Sequence, residues 1–146
     1  MTEVITGPLW AARNWSAEGG AGSIHDDETA AELGFRGGTV AGDVHMKQFP
    51  PVWLKNVGNA RFERGNLSLS FKNATIDLEK VQVFAQQRQP GEDTIRVWME
   101  REDGLLVATG TASVGDLQSL NYVARTFVPA IPVSCVSYIA YSPACL

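Results

Sequence analysis

Midway along this chain the hydrophobic period changes, and that change is what most limits the fold. From residue 60 onward apolar residues recur at every second position. Leu67, Leu69 and Phe71 alternate with Ser68, Ser70 and Lys72; Val81, Val83 and Ala85 with Gln82, Phe84 and Gln86; Ile95, Val97 and Met99 with Arg96, Trp98 and Glu100. A period of two predicts strands with one face covered. Leu106 to Val114, rich in Val and Thr, predicts one more. Pro90-Gly91 and Asp103-Gly104 fall between runs, and the second is a hairpin signal. The expectation is a meander of four antiparallel strands, preceded by an irregular first strand over residues 4–15.

A sheet with one covered face needs something to cover it. Asp43 to Val57 carries Val44, Met46, Phe49, Val52, Trp53, Leu54 and Val57, mostly at helical spacing. Pro50 and Pro51 interrupt it, and proline is tolerated in a first helical turn, so two helical pieces (43–49 and 51–57) or one kinked helix are expected. No other long apolar stripe is available. The fold class is therefore α+β: an antiparallel sheet of about five strands wrapped around a central helix, one domain over residues 1–146.

The 146 residues suit one domain with a proper core, and 45% hydrophobic with 19% charged residues describes a globular chain. Twelve basic against sixteen acidic residues give a net charge of −4, with no basic stripe interleaved with aromatics, which argues against nucleic acid. Cys135 and Cys145 are too close in sequence to organise a domain by a disulfide, and no Cys/His spacing suggests a metal site. A reduced, cytoplasmic protein without a secretory signal is expected. The stretch Thr126 to Leu146 has no charged residue, but Pro129, Pro132 and Pro143 argue against a membrane span. An apolar tail packing on its own domain or on a partner fits better.

Chemistry concentrates in S-I-H-D-D-E-T-A-A-E-L-G-F-R-G-G-T-V-A-G-D, Ser23 to Asp43. After a flexible connection over Glu18–Ser23, His25 precedes a short helix, Glu28 to Leu33, with Asp27 as its expected N-cap and Gly34 as its C-terminal stop. A glycine-rich turn follows, and a second helix starts near Gly42. A histidine close to a helix start suits a carbonyl substrate, because free N–H groups there favour developing negative charge.

The order of strand, H-D-D-containing capped helix, G-F-x-G-x-x-V-x-G turn, central helix and four strands resembles the hotdog fold, and within it the MaoC-like (R)-specific enoyl-thioester hydratases and dehydratases. The resemblance covers about residues 8–114 and leaves 115–146 as an apolar C-terminal extension. It implies a substrate acyl group on coenzyme A or an acyl carrier protein, no cofactor, no metal, and a homodimer whose sheets join edge to edge. His25 matches the family's catalytic histidine and Gly42 its helix-start glycine. Gly34, Phe35 and Gly37 match its turn. Four positions depart. Gly20 stands where the family has its aspartate, Gly22 and Ser23 replace an asparagine and proline, and Ala41 replaces the histidine before Gly42. A looser likeness is to hotdog proteins with an N-K-I-H-D-D segment, which also lack that aspartate.

General acid–base hydration needs two groups, and one histidine serves both roles poorly. Asp26 and Asp43 are the candidates for the missing carboxylate. Asp26 adjoins His25, and Asp43 opens the second helix, where a dipole-stabilised first-turn role competes with catalysis. His45, pointing to a different side of that helix from Asp43, reads as structural or partly exposed. Phe49 and Trp53 read as core residues that also shape an acyl pocket, and Trp98 as an outward residue at a subunit contact. Three functions follow: a hydratase or dehydratase using His25; a thioesterase using Asp43; or a non-catalytic acyl- or polyketide-binding module or partner subunit, which the vacancy at Gly20 favours.

Overall fold

The computed structural model describes residues 3–17 and 22–115. The expectations on the Glu18–Ser23 connection, on Gly20 and on the C-terminal tail with its two cysteines therefore fall wholly or largely outside the described residues. In chain order the elements are β1 (Val4–Ala11), α1 (Asp27–Glu32), α2 (Gly42–Met46), α3 (Phe49–Val57), α4 (Ala60–Arg64), β2 (Gly65–Phe71), β3 (Lys80–Gln86), β4 (Thr94–Arg101) and β5 (Leu106–Val114). Five strands form one antiparallel sheet, and α3 packs against it.

The alternating runs fold as their period dictates. Val81, Val83, Ala85, Ile95, Val97 and Met99 are all buried on the face that receives Phe49, Val52 and Trp53 of α3. Pro50 and Pro51 occupy the first turn of α3, where a missing N–H costs nothing. Helix and sheet approach closely because Gly7 lacks a side chain: a Cβ there would lie 2.8 Å from Val52 Cγ2.

Sheet order corrects the expected meander. The order is β1-β3-β4-β5-β2, so only β3, β4 and β5 run as consecutive neighbours. β2 pairs with β5, from Gly65 opposite Val114 to Phe71 opposite Ala108. β1 takes the opposite edge beside β3. The helical segment crosses the sheet between β1 and β2, so the chain leaves it at the far edge. Alternation marks the faces of a strand and is silent about its neighbours. The short helix α4 was also missed, and the first strand ends at Ala11 rather than residue 15.

On the opposite sheet face Trp98 stacks on Phe84, with ring centroids 5.4 Å apart, and carries the Arg96 guanidinium 5.3 Å from its ring centre. Its indole N–H donates to Glu100 Oε1 at 3.0 Å. Those contacts leave Trp98 half-buried within its own chain.

Candidate functional site

Four short segments meet at one end of the sheet and fix His25. The chain leaving β1 passes through Ala12, which packs with Val40 and Val44 in a small apolar cluster of its own. Thr39 N–H donates to the Ile24 carbonyl at 2.8 Å, and Val40 N–H to the Thr75 carbonyl at 2.8 Å. These bonds lay the glycine-rich turn between the histidine segment and the loop before β3. Gly38 makes the approach possible, since a Cβ at that position would overlap the His25 carbonyl.

Within this frame His25 Nδ1 lies 2.7 Å from the Thr39 carbonyl oxygen. A carbonyl only accepts, so Nδ1 carries the proton and donates it. In the neutral ring Nε2 is then the basic atom. The main chain of His25 is held as well: its N–H donates to Ser23 Oγ at 3.1 Å, and its carbonyl accepts from Asn14 Nδ2 at 2.8 Å. Three residues beyond Thr39, α2 begins at Gly42. Ala41 stands at its N-cap and supplies no side-chain cap, so the first N–H groups, those of Gly42 and Asp43, lack an acceptor within the helix. The Phe71 ring covers Gly42 so closely that a Cβ would lie 2.9 Å from it.

The two aspartates differ from each other in surroundings. Asp26, not Asp27, caps α1: its Oδ2 accepts from Thr29 N–H at 3.0 Å and from Thr29 Oγ1 at 2.8 Å. These bonds, the backbone one foremost, hold its carboxyl below the usual range. Asp27 instead accepts from Gly38 N–H at 2.7 Å, bracing the turn. With both residues acidic and adjacent, composition could not decide which one capped. Asp43 is exposed, 3.9 Å from Lys47 Nζ one helical turn on. Phe49 and Trp53 lie in the main core at 1% and 5% exposure.

His45 is structural, as expected, and fully buried rather than partly exposed. Its Nε2 sits 2.6 Å from Thr75 Oγ1, its Nδ1 has no hydrogen-bond partner among the described residues, and its ring lies beside Phe71. Burial pushes its pKa down to about 4, against a small opposing effect of the Asp43 charge.

Two clefts open on this end of the molecule. One, about 290 Å³, is lined by Thr39, Arg36, Lys72, Asn73 and Ile76 among others; the second runs along Arg36, Glu79 and Arg101. Neither is lined by His25, Gly42, Phe49 or Trp53. Among the described residues no group of three or more His, Cys, Asp and Glu side chains is placed to hold a metal ion, and no helix is long and apolar enough to cross a membrane.

Neither a protein-family model nor a curated protein matches the sequence. Solved structures do match its shape. The (R)-hydratase from A. caviae involved in PHA biosynthesis aligns with 78% of this chain and 96% of its own at 16% identity, TM-score 0.55. A MaoC-like dehydratase from Rhodospirillum rubrum aligns over 78% and 90% of the two chains at 16% identity, TM-score 0.55. The 3R-hydroxyacyl-ACP dehydratase complex HadBC from Mycobacterium tuberculosis aligns over 78% and 96% at 15% identity, TM-score 0.55. The chain has the hotdog fold. It resembles the MaoC-like hydratases and dehydratases in architecture, and at these identities the likeness carries the fold alone.

The geometry adds to this hotdog chain residues that the sequence did not single out. Thr39 lies inside the glycine-rich motif, but nothing in its type announces a carbonyl aimed at an imidazole. Asn14 and Asp77, 63 residues apart, meet only because β1 and the loop before β3 are neighbours: Asn14 N–H donates to Asp77 Oδ1 at 2.7 Å.

Proposed function

We propose that this hotdog chain is an acyl-thioester hydratase or dehydratase acting on an enoyl or 3-hydroxyacyl group carried by coenzyme A or an acyl carrier protein. The observation that carries the reading is the 2.7 Å bond from His25 Nδ1 to the Thr39 carbonyl. It leaves Nε2 as the base on a ring fastened three residues upstream of the uncapped helix start. In hydration, Nε2 takes a proton from water as its oxygen adds to the β-carbon, and the imidazolium returns that proton to the α-carbon as the enolate collapses, leaving the ring neutral again. The N–H groups of Gly42 and Asp43 stabilise charge on the thioester oxygen. Fold neighbours that are hydratases and dehydratases support the same reaction class.

A homodimer belongs to this reading. Among the described residues β2 is a sheet edge without a charged residue, whereas β1, the other edge, holds Pro8 and a register break between Thr6 and Leu9. Proline and bulges blunt an edge, and an uncharged regular edge invites pairing. A second copy along β2 would also supply walls for an acyl channel that the described residues of one chain do not enclose.

The test is direct. Purified protein is mixed with crotonyl-CoA and longer enoyl-CoA substrates, and loss of the enoyl absorbance is followed. Turnover that falls at least about 100-fold in His25→Ala is expected for a general base. No hydration of any chain length, or hydration indifferent to His25, removes the reading for CoA substrates.

One observation favours a second reading. The hydrogen-bond partners of His25 among the described residues are Ser23, Asn14 and Thr39, none of them a carboxylate. Two fold neighbours, HadBC and ChsH1-ChsH2 from Mycobacterium tuberculosis, are complexes. The chain would then serve as the partner subunit of an active hotdog protein that brings the carboxylate. Inactivity alone, with activity on adding that subunit, distinguishes this case.

A further inference from the structure

Asn14 presents a cost without a local benefit. Among the described residues its buried Oδ1 has no hydrogen-bond partner, while its Nδ2 donates to the His25 carbonyl at 2.8 Å. Leaving a buried amide oxygen unsatisfied costs stability. An apolar residue at position 14 would avoid that cost, but it would orphan the His25 carbonyl, which Gly38 packs against directly. Asn14 is itself anchored. Its N–H donates to Asp77 Oδ1 at 2.7 Å, and Arg13 Nε reaches the same oxygen at 3.2 Å. A chain of contacts therefore runs from Asp77, before β3, through Asn14 to the main chain of His25. Buried polar groups kept at a net cost tend to mark places where geometry matters more than stability.

We propose that Asn14, gripped by Asp77, is a positioning residue that fixes the His25 imidazole. The direction follows from the order of contacts. The ring's Nδ1 can meet the Thr39 carbonyl only while the His25 main chain stays in place, and three side-chain or main-chain neighbours hold it: Ser23 at the N–H, Asn14 at the carbonyl, and Gly38 against that carbonyl. Ser23 lies in the histidine segment and Gly38 in the glycine-rich turn, which Val40 joins to the loop before β3; Asn14 is the side chain that ties the His25 carbonyl to the segment leaving β1. Remove the amide donor and the turn keeps its bonds, but the histidine gains freedom relative to the sheet.

The role in catalysis rests on the hydratase reading above, so the experiment has an arm that does not. In protein labelled with 15N-histidine, the ring nitrogens of His25 and His45 are assigned through the variant His45→Gln. In the native protein the His25 ring should be a single neutral tautomer protonated at Nδ1. Asn14→Asp, isosteric but without the donor, and Asn14→Ala should convert it to a mixture of tautomers or broaden it by exchange, with the His45 signals unmoved. Asp77→Ala, at a half-exposed side chain, should do so more weakly, and Asp77→Asn, which keeps an oxygen for the Asn14 N–H, should restore the native spectrum. In the activity arm kcat should fall about 10- to 100-fold in both Asn14 variants, with KM within twofold. An unchanged His25 spectrum in folded Asn14→Asp and in Asp77→Ala overturns the proposal. If native protein hydrates no enoyl thioester, the hydratase reading fails and the spectra still decide the positioning role.

Discussion

His45 is the most thoroughly buried ionisable side chain of this site, and pH should reveal it. The ring is 2% exposed and its pKa is depressed from 6.5 to about 4 by burial. Below pH 6.5 the unfolded chain binds a proton that the native ring refuses, so stability falls with decreasing pH through the window from about 6.5 to about 4. The loss approaches roughly 3 kcal/mol at the acid end. Urea unfolding at pH 7 and pH 4 should show that decline in the native chain and a markedly smaller one in His45→Gln. Equal declines would mean that the imidazole is charged inside the fold. At this scale the sequence was partly legible. A histidine followed by two aspartates, with a glycine turn after them, marked the segment as a candidate site, and His45 at a helical position pointed to a structural or partly exposed residue. The partners were not legible. Thr39, Asn14 and Asp77 are ordinary polar residues, and they act on His25 through backbone groups whose positions depend on the whole sheet.

Elements were easier to read than their arrangement. Buried rows at period two located β2 to β5 within about two residues, because each strand must present its apolar side to α3 regardless of which strand lies beside it. The same rows could not show that β2 crosses to the far edge. Nor could they settle whether Asp26 or Asp27 capped α1, since either carboxylate suits an N-cap. One glycine records the true pairing. A Cβ at Gly110 of β5 would run into the Ser68 carbonyl of β2, so the two backbones touch there. Gly110→Ala should destabilise the protein by about 3 kcal/mol or more, since the clash falls on backbone and no side chain can swing away. Hydrogen exchange should show faster loss of protection in β2 than in β3. Were the strands a sequential meander, β2 would pair with β3 and the substitution would cost little.

At the scale of the molecule, the sheet has two unequal edges, and this inequality bears on how many copies make a working unit. Ser68 and Ser70 lie on the face of β2 away from the α3 core, opposite Thr111 and Thr109 of β5. Changing both to lysine leaves the covered face intact and adds charge to an edge strand that has none. In an antiparallel join about a twofold axis, those charges would meet their own copies, and like charges directly opposite are destabilising. The native chain should therefore sediment as a dimer at micromolar concentration. Ser68→Lys with Ser70→Lys should sediment as a monomer with its thermal transition retained, and should lose hydration of enoyl-CoA as the second wall of the channel leaves. A dimer that persists in the double variant would place the contact elsewhere. A monomeric native chain with full activity would confine the whole site to one copy, and would require His25 to reach its substrate from a channel built without β2′s outer edge.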